Sequence, residues 1–129
     1  MRTELITYLK SQSLPGFSVT EELPYFNTKP LYLKNSKRIY LDNEQRTKEV
    51  LIAVLGKPDI YQENHSVTVY LSTDAKNKPA SYDDVVNTIK GGQDVVTSEY
   101  YFKREVTDST TFEGDLLITE INFKFTKLT

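Results

Sequence analysis

A chain of 129 residues has room for one domain, and at that length it can bury roughly two thirds of its unfolded surface without a metal or a disulfide. The absence of cysteine excludes a disulfide framework and every thiolate zinc site; it fits maturation in a reducing cytoplasm, although extracellular proteins without cysteine also exist. The 16 basic and 18 acidic side chains, net charge −2, are mixed along the chain, which excludes the gathered basic face of a nucleic-acid binder.

The segment Met1 to Gln12 places Leu5, Ile6, Tyr8 and Leu9 at helical spacing and stops at Leu14, Pro15, Gly16, which predicts a short amphipathic helix. Arg2, Glu4 and Lys10 interrupt it, so no secretion signal is expected there, and no run of 18 apolar residues offers a membrane span. Phe17, Val19 and Glu21 alternate with Ser18, Thr20 and Glu22 as a short strand does. From Pro24 to Lys37 two prolines and three aromatics keep neither period; an ordered loop that packs Tyr25, Phe26, Leu31 and Tyr32 is expected.

Lys37 to Asp42 reads as a strand. Asn43 to Leu55 is ambiguous: Asp42 as N-cap, the face Val50, Leu51, Val54 and Leu55 and the stop Gly56, Lys57, Pro58 favour a helix, but the β-branched run Val50 to Leu55 also suits a strand. Ser66 to Ser72 is the clearest strand, with Val67, Val69 and Leu71 on one face. Ser81 to Lys90 predicts a helix with a Ser81–Asp84 capping box, Asp83 and Asp84 in its first turn, and Gly91 and Gly92 as its stop. The rest reads as a long hairpin: Glu99 to Val106, a polar tip from Thr107 to Thr111, and Leu116 to Phe125, with Leu117, Thr119, Ile121, Phe123 and Phe125 on the core face. This order predicts an α+β fold, an antiparallel or mixed sheet with two to three short helices on one face and a long C-terminal β-hairpin.

Nine tyrosines and six phenylalanines without a tryptophan suit half-buried strand positions, and tyrosine also suits subunit interfaces. Chemistry lacks its carriers. His65, the sole histidine, is expected at the surface or at a strand end, and no nucleophile elbow or phosphate-binding glycine loop occurs. The adjacent pairs Glu21, Glu22 and Asp83, Asp84 and the charges Arg104, Glu105, Asp108 and Asp115 read as solvated or capping groups rather than a carboxylate site. No catalytic, metal or cofactor residue is therefore expected, and the chain is read as working through its surfaces, not as an enzyme.

The second half resembles the tail terminator (tail completion, minor tail) proteins of long-tailed bacteriophages. The features that carry this are the strand Val67 to Leu71 running into Asp74, Ala75, Lys76, the helix Ser81 to Lys90, the strand YYFKRE at Tyr100 to Glu105, and LLITEINFKF at Leu116 to Phe125. The front half agrees through its short helix and the turn Leu14 to Phe17; Asn43 to Tyr61 has no counterpart. The resemblance implies one tail-terminator-like domain over 1–129, forming a sixfold ring at the head-proximal end of the virion tail after assembly in the host cytoplasm. Such a ring caps the tail tube, stops its polymerisation and offers the neck a docking surface. Its implied partners are other copies of the chain, the tail tube protein and a neck or head completion protein, with no membrane and with DNA passing through the channel without specific binding. Ring closure needs two different complementary patches per subunit. Tyr100, Phe102 and Arg104 on the hairpin and Tyr25, Phe26 and Tyr32 in the loop are the candidates. A head-to-tail connector or another non-enzymatic virion or adaptor module, and an enzyme with an unfamiliar carboxylate site, are the rival classes.

Overall fold

The structure, a computed structural model, describes residues 1–20 and 37–129 and, between them, only the backbone of 25–26 and 29–30. Its elements are α1 (Arg2–Ser11), β1 (Ser18–Thr20), β2 (Tyr25–Phe26), β3 (Lys29–Pro30), β4 (Arg38–Leu41), β5 (Gln45–Ile52), β6 (Ile60–Asp74), α2 (Tyr82–Lys90), β7 (Lys103–Glu113) and β8 (Leu116–Leu128). Among the described residues six strands form one mixed sheet in the order β1-β4-β6-β8-β7, with β5 also on β6; β1 runs parallel to β4, and β2 and β3 make a separate antiparallel pair. The fold is the expected α+β class, with two α-helices.

The centre of the sheet is the β6–β8 pair, matched residue for residue from Gln62↔Leu128 to Asp74↔Leu116. Alternation sets the faces. Val67, Val69 and Leu71 of β6 and Leu117, Ile121, Phe123 and Phe125 of β8 are buried on one side, where Leu5 and Leu9 of α1 and Val85 and Ile89 of α2 cover them. Thr119 lies in this apolar stripe because its hydroxyl is bonded by the Tyr82 phenol and lies 2.9 Å from the Thr110 hydroxyl. On the opposite face Thr68 donates to Asn122 (2.7 Å) and Thr126 to Asn64 (2.8 Å), beside a small cluster of Tyr40 and Ile118.

The segment Asn43 to Leu55, for which a helix was the favoured reading, holds the strand β5 from Gln45 to Ile52 and no helix. Leu41 pairs with Val69 and Gln45 with Ser66, so three residues, Asp42 to Glu44, oppose two, and β4 continues into β5 through a bulge. Arg2 fastens α1 there: its Nε donates to the Asp42 carbonyl (2.8 Å) and its backbone N–H to Glu44 (2.9 Å). A helix at this position would need apolar surface to cover, whereas β5 runs past the core and every residue of it is exposed. Gly56 is a turn residue, not a helix stop: Lys57 N–H bonds the Val54 carbonyl (3.0 Å), and the positive φ of Gly56 (80°) is the third-position geometry that glycine adopts without strain.

Three further boundaries differ. The strand β7 runs on through the supposed polar tip to Glu113, and the hairpin turns at Gly114–Asp115, with Gly114 at φ 60°; before Lys103 the chain is not strand. Ser81 occupies the N-cap of α2, but its hydroxyl donates to the Pro15 carbonyl (3.2 Å) instead of closing a capping box; Asp83 and Asp84 do sit in the first turn. Gly91 and Gly92 continue as a 3-10 turn with no left-handed residue, and their role is close packing: a Cβ on Gly92 would lie 2.9 Å from Leu5 Cδ2. Asp108, exposed as expected, pairs with Lys90 of α2 (2.7 Å).

Candidate interaction surface

The feature that stands out is a β-ribbon. The β6–β8 pairing ends at Gln62↔Leu128, and the ribbon Val50–Tyr61 projects beyond it. Val50, Leu51, Ile52, Val54, Leu55 and Ile60 on it are all at least 40% exposed, and Leu55 at the turn is fully exposed (102%). Six aliphatic side chains in solvent on one ribbon form a patch of the kind soluble proteins reserve for contacts. The strands β5 and β7 each have a neighbour on one side only among the described residues, and nearly all their residues face solvent.

At the base of the ribbon lies an open groove of about 490 Å³, lined by Leu51, Glu99, Tyr100, Phe102, Lys127 and Leu128. Tyr100 is 86% exposed. The charged pair in the lining is already engaged, since Lys127 donates to Glu99 (2.8 Å), and the remaining residues of the lining offer mainly apolar contact.

Tyr100 and Phe102 face outward because Tyr101 between them is anchored inward. Its phenol donates to Glu99 (2.8 Å) and lies 2.8 Å from His65 Nδ1, while its ring packs on Phe125 with centroids 5.2 Å apart. The other His65 nitrogen, Nε2, is 2.6 Å from Glu63, and Nδ1 is 3.2 Å from Glu99. The Tyr101 proton goes to Glu99, and Glu63, a carboxylate that can only accept, takes the Nε2–H of His65. Hydrogen bonds from Lys127 and Tyr101 lower the Glu99 carboxyl to about 2, and the hydrogen bond from His65 lowers Glu63. Burial and the bond to Glu99 push the Tyr101 phenol up. The start of the same crossing segment is tied to α1, where Glu4 accepts from the backbone N–H of Thr97 (2.8 Å) and Ser98 (3.3 Å).

His65 is therefore not a surface or strand-end residue: it is completely buried. It has the same parity as Val67, Val69 and Leu71, so extending that strand by one pleat would have turned it inward; taking Ser66 as the strand's start hid this. Among the proposed contact residues, Tyr100 and Phe102 do share a surface. Arg104 does not join them, because its guanidinium donates to the Gln93 carbonyl and lies over the Tyr101 and Phe125 rings at 5.7 and 5.2 Å. The side chains of Tyr25 and Phe26, the whole of Tyr32, and Glu21 and Glu22 lie outside the described residues. The exposed apolar ribbon and Leu128 were not among the expected surfaces, although the run Val50 to Leu55 was visible.

Among the described residues no group of three or more His, Cys, Asp or Glu is placed to hold a metal ion, and no helix is long and apolar enough to cross a membrane. The class this defines is an α+β fold with a mixed sheet, two helices on one face and a long C-terminal hairpin. No family model matches the sequence, and no curated protein matches it. Among solved structures, a chain of the virion of a native gene transfer agent (GTA) particle is similar, with a TM-score of 0.55 and 14% identity over 98% of this chain and 92% of that one. At that identity the likeness is one of fold.

Proposed function

We propose that the chain is a structural subunit of a phage-like virion, and within that class a tail terminator: a ring-forming protein that caps the tail tube and presents a joining surface to the neck. The observation that carries the reading is the exposed apolar ribbon and the apolar groove at its base, a continuous surface joined through Leu51 of the kind that contacts between subunits bury. The fold likeness to a virion chain and the order of elements from Val67 to Phe125 support it. Tyr100 and Phe102 are contact residues in this reading, and the buried His65 cluster serves as scaffold, not as chemistry.

Light scattering on the purified chain, followed by electron microscopy with tail tubes, tests this. A mass of about 89 kDa, six times the 14.9 kDa chain, with rings at tube ends, is expected. A monomer that leaves tubes uncapped overturns it, and rings that bind neck components but never tubes identify a connector instead.

A further inference from the structure

We infer that the buried cluster of His65, Glu63, Tyr101 and Glu99 is a proton-operated latch. A second proton on the imidazole completes its hydrogen-bond chain and holds the segment Glu99 to Phe102 against the sheet, and loss of that proton loosens the segment. The latch lies inside the subunit and does not depend on what covers the groove, so it stands apart from the terminator reading above.

The protons of the chain can be counted. His65 Nε2 lies 2.6 Å from Glu63, Nδ1 lies 2.8 Å from the Tyr101 oxygen, and that phenol donates to Glu99 at 2.8 Å. Each of these three contacts needs a proton, and carboxylates supply none. The phenol brings one and a neutral imidazole one more, so one contact stays unmade in either tautomer. With Nε2–H on Glu63, the Nδ1 lone pair faces an oxygen whose proton is given to Glu99. With Nδ1–H on Tyr101, the Nε2 lone pair faces the Glu63 carboxylate. An imidazolium fills all three, and because His65 is completely buried, an unmade bond there is costly. Charge around the imidazole accommodates the added proton. Glu63 of β6 and Glu99 of the crossing segment face it as anions, and the neighbouring cations are engaged elsewhere: Lys127 of β8 on Glu99 (2.8 Å), Arg46 of β5 on Glu44 (2.5 Å) and 4.0 Å from Glu63, Lys48 of β5 over the Tyr61 ring, and Arg104 of β7 over Tyr101 and Phe125. Imidazole is the side chain that exchanges a proton in the neutral range, so this is the proton that a change of conditions moves. The effect reaches the surface, since Glu99, Tyr100 and Phe102 line the groove and Tyr101 between them is the latched residue.

The chain has one histidine, so its imidazole nitrogens give an unambiguous magnetic-resonance signal. Nitrogen spectra of the wild-type chain, taken from about pH 5 to about pH 9, are expected to show both nitrogens protonated at the acid end and Nδ1 bare at the alkaline end. Hydrogen exchange is read over the same range at the Phe102 amide, which donates to the Thr126 carbonyl (3.0 Å), and is corrected for its intrinsic pH dependence. Exchange is expected to speed up about tenfold through the imidazole transition, the worth of one buried hydrogen bond. Glu63→Gln supplies the missing proton from its own side chain: the amide donates to Nε2 while Nδ1–H serves Tyr101. The step is then expected to vanish, with Phe102 protected at the alkaline end as well. An imidazole that holds the same number of protons across the range overturns the latch, and so does a wild-type Phe102 amide whose protection does not follow the transition. A Glu63→Gln chain that keeps the wild-type step overturns it too; if that variant does not fold, the two wild-type titrations decide alone.

Discussion

The phenol of Tyr101 lies 2.8 Å from His65 Nδ1, and this contact joins the crossing segment before β7 to the middle of the sheet. Removing either partner should not cost the same. Tyr101→Phe keeps the ring against Phe125 and leaves Glu99 its Lys127 donor, so a loss of about 1 kcal/mol is expected. His65→Ala opens a cavity and leaves Glu63 without its His65 donor, although Arg46 remains close to it, while Glu99 keeps Tyr101 and Lys127. About 2–3 kcal/mol is expected there. Urea midpoints of the two variants, at unchanged slope, check the order.

Stability should fall on the acid side. The Glu99 carboxyl is held at about 2 in the folded chain, against an ordinary value of 4.5, and Glu63 is held low as well. A depressed acid contributes stability that is fully present above the unfolded value and is lost as pH falls through the folded one. The loss assigned to Glu99 therefore runs from about pH 4.5 down to about 2, and allowing for its partial contact with water it is on the order of 2 kcal/mol. Glu99→Gln should be less stable at neutral pH and should flatten this acid limb. Thermal midpoints taken between pH 2 and 6 give the comparison, and an equally steep limb in Glu99→Gln removes the assignment.

Where a pattern was backed by burial, the residues alone located it. Val67, Val69 and Leu71, the stripe Leu117 to Phe125, and the Val85–Ile89 face of α2 are all core, because period and hydrophobicity agree there. The ribbon was illegible for the opposite reason. Gln45 to Ile52 packs on no core, so its hydrophobic side chains carry no period, and only pairing with β6, from Ile52↔Ile60 to Gln45↔Ser66, makes it a strand. The site followed the same division. Tyr100 and Phe102 are exposed on either side of an inward Tyr101, as a period of two allows, whereas nothing local reveals the Gln93 carbonyl or the Phe125 ring that hold Arg104.

Gly92 and Gly91 offer a test of packing without backbone strain, since neither has a positive φ. A Cβ on Gly92 would meet Leu5 Cδ2 at 2.9 Å and a Tyr8 ring carbon at 3.3 Å; Leu5 is buried to 1% and has nowhere to turn, so α1 must move. Gly92→Ala should cost about 1–3 kcal/mol despite the gain from replacing glycine. A Cβ on Gly91 would meet only the far end of Tyr8, whose hydroxyl now donates to the Thr88 carbonyl (2.6 Å) and can rotate outward. Gly91→Ala should therefore cost less than Gly92→Ala. Chemical denaturation of both, side by side, decides it, and equal losses would mean that α1 does not pack on this turn as closely as described.

Arg104 and Tyr100 lie four residues apart, yet the structure gives them opposite expected phenotypes. The Arg104 guanidinium is spent inside the subunit, on the Gln93 carbonyl and on the faces of Tyr101 and Phe125. Arg104→Met keeps the stem's packing but loses the hydrogen bond and both cation–π contacts, so a loss of about 1–2 kcal/mol is expected with oligomer mass unchanged. Tyr100 touches little in its own chain, and Tyr100→Ser should leave stability within about 0.5 kcal/mol. If the groove is a contact, the same substitution should weaken assembly. Measuring urea midpoint and light-scattering mass on both variants separates the roles: an Arg104→Met chain of normal stability that fails to assemble would return Arg104 to the interface, and a Tyr100→Ser chain that assembles as wild type would remove Tyr100 from it.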